Sequence, residues 1–120
     1  MSRLSFDLSQ DGMMCIFRPY QAESMRHFWD VKRPLTSREV HAHLQGRGGE
    51  VALSRASVIN FLNDMVDEGF LDYVEESGKG GYHRVYSVND KSRTEQVFRK
   101  AIWLMFHEKL NTFSTGEART

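Results

Sequence analysis

A small domain of mainly α class, carrying one β-hairpin, is the fold this sequence predicts, and three observations predict it. Val58, Phe61, Leu62, Met65 and Val66 recur at i, i+3, i+4, i+7 and i+8, which puts them on one face of an α-helix. Gly69 follows that stripe directly, where helices often end in a left-handed residue. Two extended runs, Leu71–Glu75 and Tyr82–Val88, then flank Ser77-Gly78-Lys79-Gly80-Gly81, whose glycines permit the positive φ angles of a hairpin loop. Helix, abrupt stop and glycine-tipped hairpin in that order make the core of a winged helix-turn-helix.

Composition agrees with one such domain. The chain has 120 residues, enough for a single core. At 40% hydrophobic and 27% charged it is an ordinary globular composition, too apolar for disorder. The 16 basic and 16 acidic residues cancel, so a nucleic-acid footprint has to come from local clustering rather than overall sign. Cys15 is the only cysteine, which rules out an intrachain disulfide and suits a reducing compartment. No apolar run approaches the ~20 residues that span a bilayer, and the N-terminus lacks a signal-peptide layout. A cytoplasmic protein without membrane contact is the expectation.

In chain order, residues 1–20 read as an N-terminal arm. Within it Met13–Phe17 is a short apolar run that fits an edge strand or a packing arm equally well. A first helix is predicted from about Gln21 to Val31, with Ala22, Met25, Phe28 and Trp29 as its apolar stripe. Pro34 closes that segment, since the residue before a proline is pushed out of helical geometry. A second helix starts near Thr36 or Ser37. Thr36 and Glu39 have capping-box spacing, Val40 and Leu44 face inward, and Gly46 follows as a stop. Residues 45–53, QGRGGEVAL, form a connection longer than a minimal helix-turn-helix turn, and Glu50-Val51-Ala52 is a candidate third strand. Ser54 is the expected N-cap of the long helix that ends near Glu68. The winged domain thus spans residues 21–90.

A last helix is predicted over 91–110, capped by Asn89 or Asp90, with a flexible polar tail over 111–120. Val97, Ala101 and Leu104 make one apolar stripe; Phe98, Ile102 and Met105 make a second; Trp103 and Phe106 carry the apolar surface further round. A helix apolar on so many sides must be buried on more than one. The spare face is expected to meet a second copy, so Val97, Phe98, Ala101, Ile102, Leu104 and Met105 are the candidate interface of a homodimer.

The order of these elements resembles the penicillinase-repressor and copper-homeostasis-repressor family of winged-helix transcriptional regulators. AESMRHFWD (22–30) is similar to that family's first helix, LTSREVHAHL (35–44) to its second, SRASVINFLNDMVDEGFLDY (54–73) to its recognition helix and first wing strand, and RVYSV (84–88) to its return strand. The resemblance covers about residues 21–89; the multiple-antibiotic-resistance-type regulators share much of the same pattern. It implies a repressor-like, DNA-binding homodimer. Three features depart from the family pattern: the longer second connection, a single C-terminal helix, and Asp64, Asp67 and Glu68 late in the recognition helix.

A recognition helix enters the major groove with its N-terminal half, so its outward side chains must be polar and must not repel phosphate. Opposite the buried stripe lie Arg55, Ala56, Ile59, Asn60 and Asn63. Arg55 can fork onto guanine or phosphate, Asn60 and Asn63 carry the amide that pairs with adenine, and Ala56 or Ile59 can touch a thymine methyl. Ser54 and Ser57 are candidates for phosphate oxygens at the helix start. Lys79, His83 and Arg84 cluster at the wing, with Glu75 and Glu76 opposing them. Arg38, with Lys32, Arg33 and Arg47, is a candidate clamp on the flanking backbone.

Catalytic and metal readings find little support. His41 and His43, two apart on a helix, point to different sides, and one cysteine cannot supply zinc spacing. Neither glycine-rich stretch has the strand–loop–helix layout of a phosphate-binding loop. No cofactor, no metal and no enzymatic activity are expected, and no residue cluster marks an inducer pocket. The leading expectation is a sequence-specific DNA-binding regulator acting as a homodimer. The alternative, a winged-helix protein-interaction module without DNA binding, rests on the zero net charge and the acidic end of the recognition helix.

Overall fold

A computed structural model describes residues 17–46 and 53–118. Among them run α1 (Pro19–Val31), β1 (Leu35–Thr36), α2 (Ser37–Gly46), α3 (Arg55–Asp67), β2 (Leu71–Gly78), β3 (Gly81–Val88) and α4 (Glu95–Ala118). The sheet is antiparallel in the order β1-β3-β2. This is the α+β winged helix-turn-helix that the hydrophobic periods predict.

Local chemistry explains the boundaries. α1 starts at Pro19, ahead of the expected Gln21, because proline at the first helical position gives up only an amide that has no intrahelical partner. It stops at Lys32, which takes a left-handed conformation (φ 54°) and donates its amide to the Phe28 carbonyl. The Thr36–Glu39 capping box forms: Glu39 N–H donates to Thr36 Oγ1 at 3.2 Å and Thr36 N–H to Glu39 Oε1 at 3.1 Å. Arg33 adds a bond to Glu39 Oε2 at 2.8 Å. Hydrogen bonding from the Thr36 amide, then from Arg33, holds the Glu39 carboxyl below its ordinary range.

The end of α3 is a Schellman motif. Gly69 N–H donates to the Val66 carbonyl at 3.0 Å and Phe70 N–H to the Met65 carbonyl at 2.9 Å, with Gly69 at φ +85°. A left-handed residue is required there, and glycine takes it without steric cost. The chain thereby turns straight into β2, whose first residue, Leu71, is buried beside Phe70.

The core draws on every helix. Ala22, Met25 and Phe28 of α1, Leu35 of β1, Val40 and Leu44 of α2, and Val58, Phe61, Leu62 and Met65 of α3 are all buried. Phe17, Phe70 and Phe98 add an aromatic cluster, with Phe98 stacked on Phe17 at 5.6 Å and edge-on to Phe70 at 4.9 Å. Trp29 packs on Phe98 at 5.5 Å and donates its indole N–H to the Ser92 carbonyl at 2.7 Å. These contacts fasten the first turns of α4 to α1.

Several expectations change here. The third strand is Leu35–Thr36, paired with Tyr86 and Val85, while Glu50–Ala52, Arg47, Cys15 and most of the N-terminal arm lie outside the described residues. The hairpin is tighter than the expected five-residue loop: Gly78 pairs with Gly81, leaving a two-residue turn at Lys79-Gly80. α4 is capped by Thr94, whose hydroxyl accepts from Val97 N–H at 3.2 Å, rather than by Asn89. Asn89 instead holds the preceding turn, accepting from Lys91 N–H at 2.9 Å and donating to the Gly69 carbonyl at 2.8 Å. α4 also continues through the segment expected as tail, to Ala118.

The largest correction concerns Phe98. Expected at the dimer interface, it is fully buried (0% exposed) inside its own domain. Ala101, Ile102 and Met105 are partly buried against the same core, whereas Trp103 (56%), Leu104 (52%) and Leu110 (47%) stand exposed. The two stripes are offset by one residue, about 100° around the helix, and Ala101 joins Phe98, Ile102 and Met105 on the core face while Leu104 faces outward.

Candidate nucleic-acid interface

The starts of two helices and the tip of the hairpin meet around one open cleft. It has a volume of about 300 Å³ and is lined by Thr36, Ser37 and Arg38 of the α2 start, Arg55 of the α3 start, and residues 78–83. Arg38, Arg55 and Lys79 bring three cations from three separate stretches of chain to its walls, and all three are exposed. Net neutrality of the chain therefore hides a local basic surface.

α3 presents Arg55, Ala56 and Asn60 to solvent because Val58, Phe61, Leu62 and Met65 turn the opposite face into the core. Ile59 is half-buried on the margin of that outer face. Ser54 caps the helix, its hydroxyl accepting from Ser57 N–H at 3.1 Å, and the two hydroxyls lie 2.9 Å apart. Of the sequence-predicted residues, Arg38, Arg55, Lys79 and His83 line the cleft, while Ser54 and Asn60 are exposed and Ser57 and Ile59 half-buried at the start of α3. His83 pairs across the hairpin with Glu76, and Arg84 with Glu75, so the expected opposition of wing charges is a cross-strand register.

Asn63 and Arg84 are differently placed. Arg84 Nη1 donates to Asn63 Oδ1 at 3.0 Å, and the Tyr86 hydroxyl donates to the same oxygen at 2.6 Å. The Arg84 guanidinium also lies 4.0 Å over the Tyr73 ring. Burial pushes the Tyr86 phenol up, which keeps it protonated and donating. Both residues thus join α3 to the wing.

Sequence reasoning missed Tyr82, Thr36 and Ser37 as cleft residues. Tyr82 is 80% exposed beside the turn. The signal for it was its position directly after Gly81, where an aromatic has no core to enter. Among the other candidates, Arg33 is engaged with Glu39. The two histidines of α2 do diverge: His41 bonds the Leu53 carbonyl at 2.7 Å, and His43 meets Glu23 at 2.8 Å. His27 stacks on His43 at 3.7 Å, and burial, then the neighbouring His43, lowers its affinity for a proton. No cluster of three or more metal-ligating side chains occurs among the described residues, nor is any helix there long and apolar enough to cross a membrane.

Known structures share this architecture. A possible transcriptional regulator from Methanosarcina mazei superimposes with a TM-score of 0.57 at 14% identity, over 83% of this chain and 78% of that one. A proposed transcriptional regulator from Thermoplasma acidophilum gives 0.52 at 19% identity, over 81% and 93%. A protein from Sulfolobus tokodaii gives 0.52 at 16%, over 80% and 84%. At such identities the likeness concerns the fold. No curated protein matches the sequence. The sequence profile described as penicillinase repressor, however, matches residues 19–116, from the first residue of α1 almost to the end of α4. The chain belongs to the penicillinase repressor family of winged-helix transcriptional regulators.

Proposed function

We propose that the protein binds duplex DNA as a homodimer, with α3 in the major groove and the wing on the flanking backbone. The observation that carries this reading is the convergence of Arg38, Arg55 and Lys79 on one open cleft. Arg38 and Lys79 suit a phosphate backbone that passes between helix starts and wing tip, with Arg55 beside it at the base edges. Arg55 and Asn60, exposed on the first two turns of α3, supply the base-reading groups: a guanidinium for guanine and an amide for adenine. Ile59 offers apolar contact to a thymine methyl. Ser54 and Ser57 hold the start of the helix in shape and present hydroxyls toward phosphate. His83 and Lys79 meet the backbone from the wing.

Asp64, Asp67 and Glu68 sit in the last turns of α3, at the opposite end from Arg55. Insertion of the N-terminal half alone keeps them away from phosphate, and salt screens what remains. The second copy seats on the outer face of α4 at Trp103, Leu104 and Leu110, with the partly exposed sides of Ala101, Ile102 and Met105 at its edge. Three large apolar side chains exposed on one helix support an interface between copies.

Selection of bound duplexes from a random pool is the direct test. A two-fold symmetric consensus is the expected result. Failure to enrich any sequence at low salt refutes DNA reading and leaves the winged domain as a protein-interaction module.

A further inference from the structure

We propose that Asn63 is a positioning residue that fixes the angle between recognition helix and wing, and that it reads no base. The inference rests on the reading of this surface as a duplex interface. Its starting point is the number of bonds at one atom. Asn63 Oδ1 accepts from Arg84 Nη1 at 3.0 Å and from the Tyr86 hydroxyl at 2.6 Å. A guanidinium only donates, so the atom that faces it is the oxygen of the amide. A carbonyl oxygen has two lone pairs, and both are used. Recognition of adenine by asparagine needs that oxygen to accept from the adenine amino group while the amide nitrogen donates to N7. The oxygen has no lone pair left for it.

The same two bonds have a mechanical consequence. Tyr86 is almost wholly buried and paired with Leu35 of β1 on one side and Tyr73 of β2 on the other. Toward the tip, Val85 is half-buried and makes the last pairing with β1, to Thr36. Arg84, two residues nearer the tip than Tyr86 and on the same face, is held between Asn63 and the ring of Tyr73. From Asp72 to His83 every hairpin residue is exposed. A lever of that kind needs a fixed point beside its base, and Asn63 supplies it from α3. The distance between Arg55 on the helix and Lys79 at the tip, hence the spacing of base and backbone contacts on the duplex, then follows from this tie.

Three variants of the full chain test the assignment on a duplex selected by the wild type. Asn63→Ala removes the acceptor, Asn63→Asp keeps an accepting oxygen but loses the amide donor, and Tyr86→Phe removes one donor from a buried position out of reach of DNA. Hydroxyl-radical footprints and base preference are the readouts. Asn63→Ala is expected to bind about tenfold more weakly, to lose the flanking protection that the wing provides, and to keep its base preference. Asn63→Asp restores the flanking protection, and Tyr86→Phe shows a smaller loss of the same kind. Altered preference at one operator position with the flank still protected overturns the proposal, as does an Asn63→Asp variant no better than Asn63→Ala. Hydrogen exchange in the free proteins supplies a readout without DNA. Amides of residues 73–85 should exchange faster in Asn63→Ala while those of α1 and α2 stay unchanged; an unaltered wing overturns the tie. A wild type that selects no duplex refutes the functional reading instead, and the exchange result still judges the tie.

Discussion

Arg55 and Asn63 stand on the same helix, and a sequence cannot tell their roles apart. Both are polar, and both lie off the buried stripe. What separates them is β3, which reaches α3 only through the hairpin register and brings Arg84 and Tyr86 onto Asn63. Arg55 sits eight residues, more than two turns, earlier and lines the cleft. Periodicity therefore identified the outward face but not the partner that covers its far end. Arg55→Ala should weaken binding to the selected duplex by about ten- to a hundredfold, the worth of one good bidentate base contact, with thermal stability unchanged. Equal affinity for wild type and variant removes Arg55 from the site.

The histidine stack makes a second prediction at this scale. His27 packs on His43 between α1 and α2, near Glu23, Asp30 and Arg33. Burial first, and His43 second, lower its pKa from 6.5, so folding favours the neutral ring. Between that lowered value and 6.5 the unfolded chain binds more protons than the folded one, so stability rises with pH. Melting temperature should accordingly fall as pH drops below 6.5, and His27→Phe, which keeps the stack without the charge, should flatten that slope. Thermal melts from pH 5.5 to 7.5 check it; an unchanged slope in the variant assigns the dependence elsewhere.

Among the elements, α3 and the hairpin were legible because their signals are local. A stripe at helical spacing, a serine cap, a glycine stop and a glycine turn each act within a few residues. α4 was only half legible. Its two apolar stripes announced two buried faces, yet their assignment depends on Phe17, Trp29 and Phe70, which are remote in sequence from Phe98. β1 was missed for a related reason: two residues carry no period, and only pairing with Val85 and Tyr86 makes Leu35–Thr36 a strand. The resulting division of α4 is testable. Phe98→Ala should cost about 3–5 kcal/mol by opening a cavity in the aromatic cluster, a large share of the about 5–15 kcal/mol that holds a typical domain. Leu104→Ala, half exposed, should change the stability of the isolated protomer by less than about 1 kcal/mol. Urea unfolding at low protein concentration compares the two, and the reverse order would place Leu104 in the core.

For the whole molecule, neutrality in total coexists with a cluster of cations in one place. Arg38, Arg55 and Lys79 come from α2, α3 and the wing tip, so their meeting is a property of the tertiary fold that composition conceals. In the proposed dimer that surface is doubled and its spacing set by the contact between copies. Leu104→Glu should give a monomer by light scattering and bind the selected duplex at least about a hundredfold more weakly, since one half-site loses the avidity of two. A variant that stays dimeric would move the interface away from the outer face of α4.

The central claim, that Arg38 and Lys79 meet phosphate on either side of the base-reading helix start, is tested most directly by the salt dependence of binding to the selected duplex. With Arg55 on a base edge, Arg38 and Lys79 leave two phosphate contacts per protomer, four in the proposed dimer, which predict a slope of log affinity against log salt of about −3.6 from these residues, and Lys79→Ala should make it shallower by about two. A slope near zero for the wild type, or one that Lys79→Ala and Arg38→Ala both leave unchanged, would contradict the account.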